Sequence, residues 1–260
     1  MSTGRAALVE RLAAHAASDI VVGEAVGAAG LCATVGGNQL RTPLSESSAV
    51  GIASGLALAG RRPVVEIIDP RGLERAAGVL SDAAGRPSTF SGTLVVLLAL
   101  PVEADLPRVP AGLRCRVAGV PGDAVALFDA ALAVGGVSVL VVTAAALDGR
   151  VEGADAGDAP VVRRAGGRAT ILAEGAGVPL ALELAGDAEV VDLRGCRDLA
   201  TISPHLARTG RVVLVGHGDP APLRAALGPA FWRLEAQPLA VHACDGASAL
   251  SRALSETLSA

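Results

Sequence analysis

Between Arg5 and Ala17 the apolar residues Leu8, Leu12 and Ala16 return at helical spacing, and Ile20-Val21-Val22 follows as a short unbroken apolar run. That change of period predicts a helix leading into a buried strand. An irregular glycine-rich stretch, Gly23 to Gln39, comes next; Thr42-Pro43 then marks a turn, and Ser45 to Ala59 reads as a helix of small residues ended by Gly60-Arg61-Arg62-Pro63. The alternation continues with a strand at Val64 to Ile68, a helix at Leu73 to Ala84 and a strand at Thr93 to Leu98. A helix at Gly122 to Val134 and a strand at Ser138 to Val142 close this half. From Asp148 to Gly167 the pattern gives way to Gly, Ala, Asp and Arg, a linker composition. Beyond it strands at Ala169 to Leu172, Glu189 to Leu193 and Arg211 to Val215 alternate with helices at Val178 to Ala185, Ile202 to Arg208 and Ala247 to Leu258. The expectation is an α/β protein of two domains, each a mostly parallel sheet flanked by helices: 1–147, a linker at 148–167, and 168–260.

Composition narrows the chemistry. The chain is 51% hydrophobic and 18% charged, with no Tyr, three Phe and one Trp, so Val, Leu, Ile and Ala must build the cores. All 22 basic residues are arginine, which excludes a Schiff-base or phosphate-loop lysine from this chain. A net charge of −4 without a basic run predicts no nucleic-acid partner. Cys32, Cys115, Cys196 and Cys244 lie far apart and are expected as buried thiols of a cytoplasmic protein. There is no secretory pattern at Met1 to Ser18 and no charge-free apolar stretch of about 18 residues, so no membrane segment is expected. His15, His205, His217 and His242 form no pair at metal-ligand spacing. Gly216-His217-Gly218-Asp219 lacks the third glycine of a dinucleotide loop and is read as a strand-to-helix turn, although nucleotide binding there is a remote alternative.

Within TPLSESSAVGIASGLALAGRRPVVEI (42–67), Glu46 opens the helix, and spacing alone explains it: Ser45 caps, and the carboxylate favours the helix dipole. The run as a whole resembles the β subunit of the thiamine-diphosphate-dependent E1 component of 2-oxo acid dehydrogenases and, more distantly, the corresponding half of transketolase. Thr42, Pro43, Ser45, Glu46, Gly51, Gly55, Ala59, Gly60, Arg62, Pro63 and Glu66 fall in register. Ile20 to Gly27, Gly112-Leu113-Arg114, Val137 to Val142 and, in the second half, Ala169 to Leu172, Val190 to Arg194 and Thr209 to Val215 extend the resemblance over both domains.

The resemblance implies a pyrimidine-binding domain followed by a transketolase C-terminal-like domain, with Glu46 as the catalytic carboxylate that hydrogen-bonds the ring nitrogen N1′ of the cofactor. An apolar pocket would raise its pKa and suit it to proton sharing. Glu24, after the first strand, is a candidate accessory group, and Glu66 is read as part of an interface network. The family's stacking aromatics are replaced by Asp69-Pro70-Arg71-Gly72-Leu73, so apolar contact to the pyrimidine falls to Ile67, Ile68 or Leu73, with Phe90 reaching in from elsewhere. The short Ala99 to Leu113 loop holds no counterpart of the family's active-site histidine.

The family's diphosphate-binding motif, Gly-Asp-Gly with a downstream Asn, is absent, so the resemblance implies that an α-type partner holds the diphosphate and its Mg²⁺, in an α₂β₂ heterotetramer. The expected function is 2-oxo acid decarboxylation or ketol or acyl transfer on a small-molecule substrate, in a cytoplasmic enzyme active only with that partner. The alternative is a non-catalytic scaffold or regulatory chain that keeps the fold.

Overall fold

A computed structural model describes residues 2–85, 91–101, 104–110, 112–153, 155, 157, 159–217, 224 and 227–259, the side chain of Phe231 excepted. The chain separates into two compact units, residues 1–101 with 106–157 and residues 102–105 with 158–260.

The first unit opens with α1 (Gly4–Ala16), β1 (Val21–Gly23) and β2 (Gln39–Arg41), then α2 (Glu46–Leu58) and β3 (Val64–Ile67). Next come α3 (Gly72–Arg75), α4 (Ala77–Ala84), β4 (Thr93–Leu100), β5 (Arg114–Ala118), α5 (Asp123–Ala133), β6 (Gly136–Thr143) and α6 (Ala144–Asp148). Its six strands are ordered β2-β1-β3-β4-β6-β5 and every pairing is parallel. Strand side chains alternate between the two faces. Val64, Val95, Leu97 and Leu140 form one core with Leu8 and Leu12 of α1 and Leu127 and Phe128 of α5. Val65, Val96, Leu98, Val139 and Val141 are equally buried, and α2 and α4 pack against β3, β4 and β6. Both faces are therefore covered, as an all-parallel sheet requires.

The second unit contains β7 (Val161–Arg164), β8 (Thr170–Ala173), α7 (Gly177–Leu184), β9 (Glu189–Asp192), α8 (Leu199–Thr209), β10 (Val212–Gly216), β11 (Leu239–His242) and α9 (Gly246–Ser259). The order is β11-β10-β8-β9-β7, parallel except where β7 runs antiparallel to β9. Helix α8 starts earlier than its apolar period predicts because Asp198 caps it, accepting from the amides of Ala200 (3.2 Å) and Thr201 (3.1 Å). It ends at Gly210, whose φ of 63° lies in the left-handed region. Gly210→Ala is expected to lower stability by at least about 1 kcal/mol, because the left-handed backbone disfavours a side chain and the new Cβ would stand 2.7 Å from Glu235 Cγ and 3.2 Å from the Glu235 backbone nitrogen. Urea unfolding measures the loss, and an unchanged midpoint would contradict the backbone argument.

Several elements depart from the sequence pattern. The helix expected from Leu73 to Ala84 is broken at Ala76 into α3 and α4, and β7 forms inside the stretch of linker composition. Of the cysteines expected in the interior only Cys32 is buried; Cys115 and Cys196 are half-buried and Cys244 is exposed. No helix among the described residues is long and apolar enough to cross a membrane. The turn expected after Gly216 falls largely on residues 218–223, outside the described residues.

Candidate active site

In the first sheet the chain leaves β1 for β2 on one side and reaches β3 on the other, so strand order reverses between β1 and β3. The crevice outside the carboxyl ends of such strands is where open parallel sheets bind ligands. Glu24 follows β1 there, Ile68 and Asp69 follow β3, and Thr42 follows β2, its amide donating to the Gly23 carbonyl at 3.0 Å.

Glu46 reaches the same place from the first turn of α2. Ser45 caps this helix, its hydroxyl accepting from the Ser48 amide at 3.3 Å, which fixes where the helix begins and where the carboxylate points. The Glu46 side chain is 11% exposed and lies flush against Gly72. A Cβ at Gly72 would stand 2.7 Å from Glu46 Cγ and 2.8 Å from Ile67 Cγ2, so only glycine lets α3 come so near. From α3, Arg75 forks onto the carboxylate: Nε donates to Oε2 at 3.1 Å and Nη2 donates to Oε1. The same Nη2 donates to Asp69 Oδ2 at 3.0 Å, and Asp69 in turn accepts from the Arg71 amide at 3.0 Å.

The electrostatics differ from the sequence expectation. The Arg75 guanidinium holds the Glu46 carboxyl below its ordinary pKa, outweighing the partial burial that pushes it up. Glu46 is therefore an ionised, paired carboxylate; the raised pKa expected of an apolar pocket is corrected by an arginine 29 residues away in sequence. Glu24 behaves in the opposite way: burial raises its pKa, and the Glu46 charge raises it further. Its Oε2 is buried without a hydrogen-bond partner, as is Thr42 Oγ1. Unpaired oxygens of this kind are costly and mark a place where a donor is missing.

Among the apolar candidates the pleat decides. Ile67 and Leu73 point into the core, at 2% and 0% exposure, whereas Ile68 is 38% exposed at the crevice. Gly30, with φ of 74°, lets Ile68 pack closely, because a Cβ there would stand 2.6 Å from Ile68 Cδ1. Phe90 lies outside the described residues.

Glu66 belongs to the interior rather than to an interface network. Its buried carboxylate accepts from the Leu31 amide at 2.5 Å and the Cys32 amide at 2.9 Å, tying the loop after β1 to β3. Burial raises the Glu66 pKa, and burial together with the neighbouring Glu66 charge raises that of the Cys32 thiol. His15 is structural too: Nε2 meets the Arg62 carbonyl at 2.8 Å, and burial lowers its pKa.

The structure thus gathers Glu46, Glu24 and Ile68 around one crevice and adds Asp69, Arg75, Gly72 and Thr42, which sequence reasoning did not assign to the site. The linear signals for the additions were the in-register Thr42 and the replacement of aromatics by the Asp69 to Leu73 segment; Arg75 had none. The pyrimidine half of a thiamine cofactor fits this set of groups: a carboxylate, unpaired buried oxygens and an exposed isoleucine. Among the described residues no group of three or more metal-ligating side chains occurs.

No protein-family model and no curated protein matches the chain. Solved structures do. A chain described as split-gene transketolase, inactive β4 tetramer, superposes with a TM-score of 0.77 at 18% identity, covering 99% of this chain and 98% of that one. The 2-oxoglutarate:ferredoxin oxidoreductase from Magnetococcus marinus, solved with 2-oxoglutarate, coenzyme A and succinyl-CoA, gives a TM-score of 0.68 at 9% identity, over 99% of this chain and 65% of that one. The chain therefore shares the two-domain α/β fold of the split-gene transketolase chain over nearly the full length of both.

Proposed function

We propose that this chain is the β-type, pyrimidine-binding subunit of a split thiamine-diphosphate enzyme, with residues 1–147 as the pyrimidine-binding domain and 168–260 as the transketolase C-terminal-like domain. One observation carries the reading: the Glu46 carboxylate lies at the strand-order reversal, under Gly72 and electrostatically coupled to the unpartnered Glu24. With the cofactor bound, Glu46 holds a proton against the pyrimidine ring nitrogen, Gly72 lets α3 pack against the Glu46 side chain, and Ile68 offers the apolar contact that an aromatic gives in the E1 family. Glu24 is an accessory carboxyl whose raised pKa suits it to donate a hydrogen bond. When bound, the cofactor supplies the electron sink for 2-oxo acid decarboxylation or for ketol or acyl transfer. An α-type partner holds the diphosphate and Mg²⁺, in an α₂β₂ assembly.

A second reading, a non-catalytic β-like scaffold, is favoured by the Arg75 fork on Glu46 and by the lack of a histidine in the sequence from Ala99 to Leu113. The two readings part in a calorimetric titration of thiamine diphosphate and Mg²⁺ into this chain mixed with a chain bearing Gly-Asp-Gly and a downstream Asn. Saturable binding that requires both chains is expected, and its absence would leave the scaffold.

A further inference from the structure

We propose that Arg75 is a latch on Glu46: its guanidinium occupies the carboxylate that the pyrimidine must engage, and Asp69 is where it moves when the pyrimidine enters. The inference rests on the reading of Glu46 as the pyrimidine-binding carboxylate and adds a residue that controls it.

Three features of the crevice support the latch. First, both oxygens of the Glu46 carboxylate are engaged by Arg75, Nε on Oε2 and Nη2 on Oε1, so the fork holds the carboxylate in its ionised form. Charge-assisted forks of this type are the strong ones among side-chain hydrogen bonds. Second, Arg75 already touches its alternative: Nη2 reaches Asp69 Oδ2 at 3.0 Å, so a small rotation of the fork exchanges one carboxylate for the other without leaving the cation unpaired. Third, the side chain is 49% exposed, so it has room to move, whereas the Glu46 side chain is 11% exposed and held by its helix.

Charge balance gives the exchange a direction. Glu24, Glu46 and Asp69 are the carboxyls at the crevice; Arg75 is the cation between Glu46 and Asp69, Arg71 donates to Asp69 from Nε at 3.4 Å, and Arg41 Nε donates to the Glu24 carbonyl at 3.3 Å. With Arg75 forked onto it, Glu46 is ionised and has no proton to offer. Once the guanidinium withdraws to Asp69, Glu46 loses its counter-ion and faces Glu24. It then takes a proton from solvent and donates it in a hydrogen bond to a ring nitrogen. Arg75 then pairs with Asp69 and Glu46 is neutral as the acid, while Arg71, which also reaches Asp69, is exposed and solvated.

The isolated full chain suffices for the test, with 4-amino-5-hydroxymethyl-2-methylpyrimidine as the probe, so that neither diphosphate, Mg²⁺ nor a partner is needed. Carboxyl ¹³C NMR follows the titration of Glu46, and chemical-shift titration follows probe binding. In Arg75→Gln the Glu46 midpoint is expected to rise and the probe to bind about two- to fivefold tighter, the scale of a half-exposed ion pair. In Asp69→Asn, which leaves the guanidinium only Glu46, the midpoint is expected to fall and binding to weaken. Glu46→Gln should remove the dependence of binding on Arg75. An unchanged Glu46 midpoint in Arg75→Gln overturns the latch, and so does weaker probe binding in that variant, which would make Arg75 a contact to the pyrimidine. If the midpoints move as expected but no variant binds the probe through Glu46, it is the pyrimidine reading that fails, and the latch falls with it.

Discussion

Glu46→Gln is expected to lower kcat of the assembled enzyme by about 10²- to 10⁴-fold, the span that removal of a positioned proton-transfer group commands. The substitution is nearly isosteric and keeps an oxygen that can accept from Arg75, so α2, its Ser45 cap and the close approach of Gly72 are retained. Stability is therefore expected to change little while turnover collapses. Thermal unfolding and steady-state kinetics on the same preparation separate the two. Activity within a few-fold of wild type would remove Glu46 from the chemistry and return it to the role that its position at a helix start already explains.

Glu66→Ala is expected to cost about 3 kcal/mol of stability, because two buried backbone donors, at Leu31 and Cys32, lose a shared charged acceptor. The loss should reach the crevice as well, since this carboxylate ties down the loop that follows Glu24. Urea unfolding at fixed pH measures the first effect, and a loss below about 1 kcal/mol would show that water or another group replaces the tie. The pH dependence has a definite sign. Burial raises the native pKa of Glu66, so between the unfolded and native values the native state binds more protons. That contribution is complete below the unfolded value and is lost as pH rises through the native one. Against Glu66→Gln, which does not titrate, wild type should be relatively most stable in acid and lose ground toward neutral pH.

The alternation of strands and helices was largely legible because most of the central strands are rich in Val, Leu and Ile and bounded by turn residues, whereas β5 and β11, with Arg, Cys or His in short runs, were not expected. What escaped were elements that carry little apolar pattern. Strand β2 is exposed throughout, and β7 at the sheet edge buries alternate residues only in part, so neither announces itself by hydrophobicity. The break at Ala76 is invisible because Ala favours continuing a helix; tertiary packing overrides the propensity.

Within the site, Glu46 was legible from its cap and from the run around it. Its charge state was not, because Arg75 approaches across the fold and no local spacing joins them. Glu66 was misplaced for a related reason. A charged residue inside an apolar strand suggests a subunit boundary, whereas here its partners are backbone amides, which no side-chain pattern reveals. Ile68 could be told from Ile67 only once the pleat fixed which residue faces outward.

Gly51 and Gly55 lie one turn apart on the outer side of α2, with nothing within 4 Å of where their side chains would begin. Each weakens a helix by about 1 kcal/mol relative to alanine. The helix that aims Glu46 is therefore anchored from one side, through buried Ala49, Val50, Ala53 and Ala57, and by the contacts of its first turn with α3, while its glycine side stands open to solvent.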